Sequence, residues 1–314
     1  MPTALPEAAE DARSLNSAPN RTPNRASSRT PNRTPNRTPN ATPDRPRIDH
    51  RLDVAGQTVQ AAVWRARTDA DAERPPLLLF NGIGVGLEFL EPLVEALDDV
   101  EIITFDVPGT GASPAPHLPY RLWMMASLAA RVLDCLGYRR VDVLGASWGG
   151  ALAQEFARQF PDRCRRLVLV ATLQGVPMMP ARPQVLWKFL TQQMTPDAAA
   201  ARRLAGELYG GSVQHHPEVL ARLARCQVGA NQQGFMLQQM ALAGWSSVPW
   251  LPYVRQKTLV MAGRDDPLVP WINGQWISQL MPRARFHLYD DGHLFLVTDP
   301  QAAARIIEPF LTQR

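Results

Sequence analysis

Short apolar runs of six to eight residues recur along this chain, and most of them are separated by longer segments of helical period. The runs span residues 75–82, 100–106, 141–146, 166–172, 257–263 and 284–290. Parallel strands need long crossover connections, usually helices, and such strands are buried on both faces. The alternation therefore predicts an α/β fold with a mostly parallel sheet covered by helices on both faces.

Two segments depart from this alternation. "HRLDVAGQTVQAAVWRA" (50–66) alternates polar and apolar residues around Gly56, which is typical of an antiparallel hairpin. Residues 175–252 contain no convincing strand but several helical patterns, including "PQVLWKFLTQQM". We therefore predict a helical cap over 175–252, inserted before the last two strands of a core formed by 48–174 and 253–314.

Residues 1–47 differ in composition from the rest. The repeat "RTPN" occurs four times there, and a proline at every fourth position forbids a regular helix. The chain has 33 basic and 29 acidic residues; 8 and 4 of them lie in 1–47, so the remainder is neutral with 25 of each. The pattern predicts a disordered tail, which either has no specific role or is an arm for a polyanion or a charged surface. Since the fold itself is neutral, we expect no nucleic-acid partner.

The remaining composition favours a cytoplasmic protein. Hydrophobic residues make up 45% of the chain, enough for a sizeable core, but no apolar run has the length of a membrane span. The start "MPTALPEAAEDARS" lacks the basic and apolar regions of a secretory signal. The three cysteines are widely spaced and form no CxxC pair, which argues against a disulfide framework and a zinc site.

The sequence "VDVLGASWGGALAQEF" (141–156) places Ser147 between two glycines, after an apolar run and before a helical pattern. Gly-x-Ser-x-Gly in this context is typical of a nucleophile elbow, in which flanking side chains would collide with strand and helix. A plain strand–helix turn is the alternative. We predict that Ser147 is a catalytic nucleophile.

An activated serine needs a histidine base, and in this architecture the partners follow in the order serine, acid, histidine. His293 lies on a loop after the last apolar run, at the edge where catalytic groups gather in parallel sheets. His287 lies inside that run, and His215 and His216 fall in the predicted cap, where a solvated turn explains them. We predict that His293 is the base.

The acid should follow the preceding strand. "AGRDDPLVP" (262–270) offers Asp265 and Asp266 just past Gly263. A solvated Asp-Pro turn would explain one aspartate but not its place beside the strand that leads to His293. We predict Asp266 as the residue that orients the histidine, with Asp265 as the alternative.

A tetrahedral oxyanion needs fixed hydrogen-bond donors. The backbone N–H of Trp148 directly follows the nucleophile, and "NGIGVG" (81–86) offers that of Ile83. The same stretch lacks GxGxxG spacing and no phosphate-binding lysine follows, so it does not predict a dinucleotide site. We expect neither an organic cofactor nor a metal.

Together these motifs resemble the α/β-hydrolase superfamily over residues 50–314. The strings "LLLFNGIG", "SWGGALAQEFA", "GWSSVPWL" and "DDGHLFLVTDP" are similar, more narrowly, to intracellular depolymerases of medium-chain-length polyhydroxyalkanoates. The resemblance implies a serine hydrolase that cleaves stored polyester at a granule surface, releasing 3-hydroxy acids or oligomers. It implies the same triad of Ser147, Asp266 and His293.

Three further residues are predicted to bind substrate. Asn81 stands where many α/β-hydrolases have histidine, and the depolymerase-like sequences also favour asparagine. Trp245 and Trp250 flank Pro249 in a segment expected to lead from the cap to the site. Because substrate choice lies in the cap, another esterase, a lactonase or a carbon–carbon hydrolase remains an alternative, as does a non-catalytic granule-binding protein.

Overall fold

The computed structural model of the protein describes residues 45–67, 74–191, 198–228 and 232–313. Eight strands form one sheet in the order β1-β2-β4-β3-β5-β6-β7-β8. The strands are β1 (Arg47–Val54), β2 (Gln57–Trp64), β3 (Leu77–Phe80), β4 (Ile102–Phe105), β5 (Val141–Ala146), β6 (Cys164–Val170), β7 (Lys257–Gly263) and β8 (Ala284–Tyr289).

Strand direction follows the sequence pattern. The β1–β2 hairpin is antiparallel, and β2 also pairs antiparallel with β4. All other neighbours, from β4 through β3 and β5 to β8, are parallel. The predicted mostly parallel sheet is confirmed, and its carboxyl edge collects the loops that follow β3, β5, β7 and β8.

Helices cover both faces of the sheet. Successive side chains of a strand point to opposite sides, so strands that are apolar throughout leave an apolar surface to cover on each face. One apolar core joins one face to α1, α9 and α10, and a second core joins the other face to α2, α3 and α8. These helices are α1 (Glu91–Ala96), α2 (Leu122–Leu136), α3 (Trp148–Gln159), α8 (Ile272–Leu280), α9 (Phe295–Thr298) and α10 (Pro300–Thr312).

Besides two short 3₁₀ helices, the described residues between β6 and β7 form four α-helices. They are α4 (Pro183–Leu190), α5 (Ala198–Tyr209), α6 (Pro217–Val228) and α7 (Gln232–Leu242). All four fall within the range predicted as a cap, and we use that name for them. Within the described parts of the chain, no helix combines the length and apolar character needed to cross a bilayer.

The fold begins earlier than the sequence indicates. The predicted tail lies outside the described residues except for 45–47, and β1 starts at Arg47. Arg45 is 4% exposed, and its guanidinium donates hydrogen bonds to the carbonyl oxygens of Val94, Leu97 and Val100, around the end of α1. Arg45 and Pro46 resemble the preceding tail in composition, so the sequence assigns them to it. Only the hydrogen bonds to distant carbonyl groups show that Arg45 belongs to the fold.

Candidate active site

Ser147 occupies a strained turn between β5 and α3. Its backbone has φ 54° and ψ −118°, a conformation that non-glycine residues rarely adopt. A Cβ at Gly145 would lie 2.2 Å from the carbonyl oxygen of Gly149, and one at Gly149 would lie 2.3 Å from that of Phe80. Both glycines are therefore required by close backbone approach. Ser147 N–H donates to the Val170 carbonyl oxygen at 2.8 Å, which ties the turn to β6.

Asp266 and His293 form a buried pair. Nδ1 of His293 lies 2.6 Å from Oδ2 of Asp266, and both side chains are at most 5% exposed. The other oxygen, Oδ1, accepts the backbone N–H groups of Leu268 and Val269 at 2.9 and 2.8 Å, so the carboxylate is held from both sides. With Nδ1 engaged, Nε2 is the ring nitrogen available to a further partner. Asp265, the predicted alternative, is exposed.

Ser147 and His293 line one cavity of about 640 Å³ beneath the cap, together with Gly82 and Ile83. The cavity wall is mainly apolar. It includes Phe89 and Leu90 beside α1, Phe189 from α4, Leu204 and Leu208 from α5, Leu220 and Leu223 from α6, Phe235 from α7, and Leu294, Leu296 and Val297 after the histidine. Such a chamber suits an extended apolar group attached to a polar reacting centre.

The two predicted oxyanion donors are the backbone N–H groups of Ile83, in the loop after β3, and Trp148, directly after Ser147. In the described part of the chain, neither donates a hydrogen bond to a protein acceptor. Free donors of this kind can meet an oxygen that gains negative charge. Ile83 lines the cavity, and Trp148 is the first residue of α3.

Gln238, on α7, joins the cap to both predicted oxyanion segments. Its Oε1 accepts the backbone N–H of Gly84 at 2.8 Å, and its carbonyl oxygen accepts the indole N–H of Trp148 at 2.8 Å. The residue is 1% exposed. Its role was not predictable from the sequence, since a glutamine inside a helical pattern gives no sign of a partner 154 residues away.

Tyr209 covers the histidine from the cap. Its ring stacks on that of His293 with centroids 6.1 Å apart and planes 25° from parallel. Burial raises the pKa of the Tyr209 phenol to about 12, so the ring stays neutral near pH 7. This residue also escaped prediction from the sequence, because it ends an ordinary amphipathic helix.

None of the three predicted substrate-binding residues lines the cavity. Asn81 Nδ2 instead donates to the carbonyl oxygen of Gly86 at 3.2 Å and so braces the loop after β3. Trp245 donates from Nε1 to Glu155 Oε2 at 3.0 Å and contacts Trp250 edge-to-face. Both tryptophans pack against the core that contains α3.

Asp106, in "FDVPGTGAS", anchors the loop after β3 from a neighbouring strand. Its carboxylate accepts the backbone N–H of Leu87 at 2.6 Å and that of Ala112 at 2.8 Å. Burial raises its pKa to about 6, although these two bonds act in the opposite direction. The carboxylate therefore titrates within the range in which many enzymes work.

Comparison with known proteins adds a family match. Residues 75–300 match the model of the alpha/beta hydrolase fold family. The chain is 43% identical to a poly(3-hydroxyalkanoate) depolymerase of Ectopseudomonas oleovorans, over 86% of this chain and 94% of the relative. It is 26% identical to 3-oxoadipate enol-lactonase 2 of Acinetobacter baylyi, over 80% of this chain and 94% of that one.

Solved structures agree on the architecture. A hydrolase from Pseudomonas aeruginosa PA01 superposes with a TM-score of 0.71 at 26% identity, covering 84% of this chain and 98% of that one. An enol-lactonase from Burkholderia xenovorans LB400 gives a TM-score of 0.72 at 22% identity, covering 84% and 100%. The second likeness concerns the fold alone.

Proposed function

The chain belongs to the α/β-hydrolase family, and on that premise we propose that it is a serine esterase of medium-chain-length poly(3-hydroxyalkanoate). It cleaves the ester bonds of this polymer to 3-hydroxy acids or oligomers, at the surface of polyester granules inside the cell. The relative named poly(3-hydroxyalkanoate) depolymerase, 43% identical over most of both chains, supports the substrate class.

One observation carries the chemical part of the proposal. The 2.6 Å contact between Asp266 and His293 is buried, and the histidine shares an apolar cavity with a serine on a strained turn. A serine hydroxyl is a weak nucleophile by itself, and an oriented histidine is the group that activates it.

The proposed reaction has two halves. His293 Nε2 takes the hydroxyl proton as Ser147 Oγ attacks the ester carbonyl carbon, and the N–H groups of Ile83 and Trp148 receive the oxyanion. Collapse of this intermediate expels the alkoxide, which takes the proton from His293 and leaves an acyl-serine. His293 then deprotonates water, which attacks the acyl carbon and releases the acid while Ser147 regains its proton. Asp266 holds the imidazole orientation throughout.

The cavity supports a medium-chain side group. At about 640 Å³ it is larger than a methyl-bearing monomer needs, and its walls are mainly apolar. The relative named 3-oxoadipate enol-lactonase supports a second candidate, a hydrolase of small esters or lactones. Both candidates use the same triad and differ in what enters beneath the cap.

Clearing of a polymer suspension tests the proposal. Purified protein should clear turbid poly(3-hydroxyoctanoate), whereas Ser147→Ala should lose at least about 10³-fold in rate while keeping its circular dichroism spectrum and Tm. Hydrolysis of soluble p-nitrophenyl esters or lactones without clearing would favour the second candidate. Turnover by Ser147→Ala at the wild-type rate would contradict serine catalysis in both.

A further inference from the structure

The cap meets the histidine loop where residues 209–212, at the end of α5, cross residues 290–293, which follow β8. We call these two segments the cap junction. The backbone N–H of His293 donates to the carbonyl oxygen of Tyr209 at 2.7 Å. A Cβ at Gly211 would lie 2.0 Å from both Asp291 Oδ1 and the Gly292 nitrogen. The two backbones therefore touch with no room for an intervening side chain.

Asp291 is the centre of the hydrogen bonds at this junction. Its Oδ1 accepts the backbone N–H of Ser212 at 2.6 Å and that of Gly292 at 2.7 Å. Its Oδ2 accepts the hydroxyl groups of Ser212 at 3.0 Å and Thr298 at 2.6 Å. One carboxylate thus joins the cap, the histidine loop and α9, and hydrogen bonds to an ionised acceptor are the stronger kind.

The Asp291 carboxylate is kept ionised, the form in which both of its oxygens accept hydrogen bonds. Burial alone would raise the pKa of Asp291, but the hydrogen bonds from Thr298, Ser212 and Gly292 outweigh burial and hold the pKa below its ordinary value. At 8% exposure it has little access to competing water. The carbonyl oxygen of Asp291 also accepts the N–H of Asp265 at 3.1 Å, which links the junction to the loop of the catalytic acid.

We propose that Asp291 is a positioning residue for His293, through which the cap segment 209–212 forms a fixed part of the catalytic frame. This inference rests on the proposed function, because it assigns Asp291 a task in serine catalysis. Asp291 does not touch the reacting atoms. It fixes the backbone two residues before the base, and misplacing a catalytic group by about 1 Å can lower the rate about 100-fold.

Two substitutions separate positioning from charge. Asp291→Ala removes all four acceptor contacts, and we expect kcat for a soluble p-nitrophenyl ester to fall about 10- to 100-fold. KM should change less than about threefold, because Asp291 does not line the cavity. Asp291→Asn can still accept two N–H bonds through its oxygen and donate to the two hydroxyl oxygens through its amide. It should therefore keep kcat within about threefold of wild type.

Asp299→Ala provides the matched control. Asp299 lies in the same segment, caps α10 by accepting the N–H of Ala302 at 3.3 Å, and accepts the Tyr289 hydroxyl at 2.9 Å. Loss of the Asp299 side chain should lower Tm but leave kcat within about twofold, because Asp299 makes no hydrogen bond to the described residues of the cap. If Asp291→Ala fails to fold, the double variant Ser212→Ala/Thr298→Val keeps the carboxylate, removes both hydroxyl donors and should lower kcat with KM retained.

A second readout does not depend on any activity. Hydrogen exchange of the His293 amide should accelerate in Asp291→Ala and stay at the wild-type rate in Asp291→Asn and Asp299→Ala. Wild-type kcat and exchange in folded Asp291→Ala would overturn the inference, as would an Asp291→Asn variant as slow as Asp291→Ala. A protein that hydrolyses no ester, yet shows this exchange pattern, would contradict the proposed function while leaving the junction intact.

Discussion

The cap touches the catalytic loops on two sides of the cavity, and the two contacts are built differently. On the base side, the two backbones of the cap junction meet at glycines, and the Asp291 carboxylate accepts four hydrogen bonds from Ser212, Gly292 and Thr298. On the oxyanion side, Gln238 supplies one side-chain oxygen to Gly84 and one carbonyl oxygen to Trp148. The base-side contact therefore gathers several donors on one carboxylate, whereas both of these hydrogen bonds on the oxyanion side are accepted by the single cap residue Gln238, and Asn81 and Asp106 also brace the loop after β3.

The largest expected effect comes from a side chain placed inside the base-side contact. Gly211 has φ +56°, and its added Cβ would collide with Asp291 and Gly292. Gly211→Ala should cost about 3 kcal/mol or more in unfolding free energy and lower kcat about 100-fold. Urea unfolding and ester turnover measure both.

Gly244→Ala is the control for that substitution. Gly244 lies two residues after the last helix of the cap and has φ +73°, but none of the described atoms lies within 4 Å of its Cβ position. Gly244→Ala should lower the unfolding free energy by only about 1–2 kcal/mol, the cost of an alanine in a left-handed conformation, and should keep the wild-type kcat. Equal losses in the two variants would mean that the close approach at the junction is unimportant.

A smaller effect is expected on the oxyanion side. Gln238→Ala leaves the buried N–H of Gly84 without its acceptor, which typically costs about 1–3 kcal/mol. The loop is then free to shift, and kcat should fall about tenfold with little change in KM. Met236→Ala, half-exposed on the same helix, should leave kcat at the wild-type value. An unchanged kcat in Gln238→Ala would show that the oxyanion side is held by other contacts.

The dependence of KM on acyl-chain length distinguishes residues that line the cavity from the tryptophan segment, which does not line it. Phe189 lines the cavity, and its ring lies 5.7 Å from that of Phe235, centroid to centroid. Phe189→Ala should raise KM for p-nitrophenyl octanoate about three- to tenfold, through lost apolar contact, and leave the butyrate ester unchanged. Trp250→Ala should alter neither KM. A selective rise for Trp250→Ala would restore the substrate-binding role predicted from the sequence.

The smallest effect concerns stability and pH rather than turnover. The folded pKa of Asp106 is about 6, above the ordinary 3.8, so the folded protein binds more protons than the unfolded chain between these values. Its contribution to the unfolding free energy therefore falls as pH rises, by about 2 kcal/mol from pH 4.5 to 7. Asp106→Asn should lack this decline in urea titrations at the two pH values. The same slope in both proteins would contradict a raised pKa.

Local patterns in the sequence were enough to predict the sheet and the order of the catalytic motifs. Apolar runs mark strands wherever both faces are buried, and the loops after parallel strands share an edge, so Asp266 and His293 could be paired before their contact was seen. The 2.6 Å distance agrees with that expectation. The catalytic roles of these residues stay predictions until they are tested.

Long-range contacts were not predictable from the same patterns. Gln238 meets Gly84 across 154 residues, and Arg45 donates to α1 across about 50. Trp245 and Trp250 were predicted to bind substrate because their segment, around Pro249, was expected to lead from the cap to the site, but both pack against the core that contains α3. Periodicity tells which face of a helix is buried, but not what covers that face.

Trapping of the acyl-enzyme tests most directly whether Ser147 and His293 act as one unit. Wild-type protein mixed with p-nitrophenyl octanoate, quenched in acid within the first turnover and digested, should carry an octanoyl group on the peptide containing Ser147. Ser147→Ala should carry none, and His293→Ala should acylate far more slowly. Octanoylation of another residue, or turnover without any acylated Ser147 peptide, would contradict nucleophilic catalysis by Ser147.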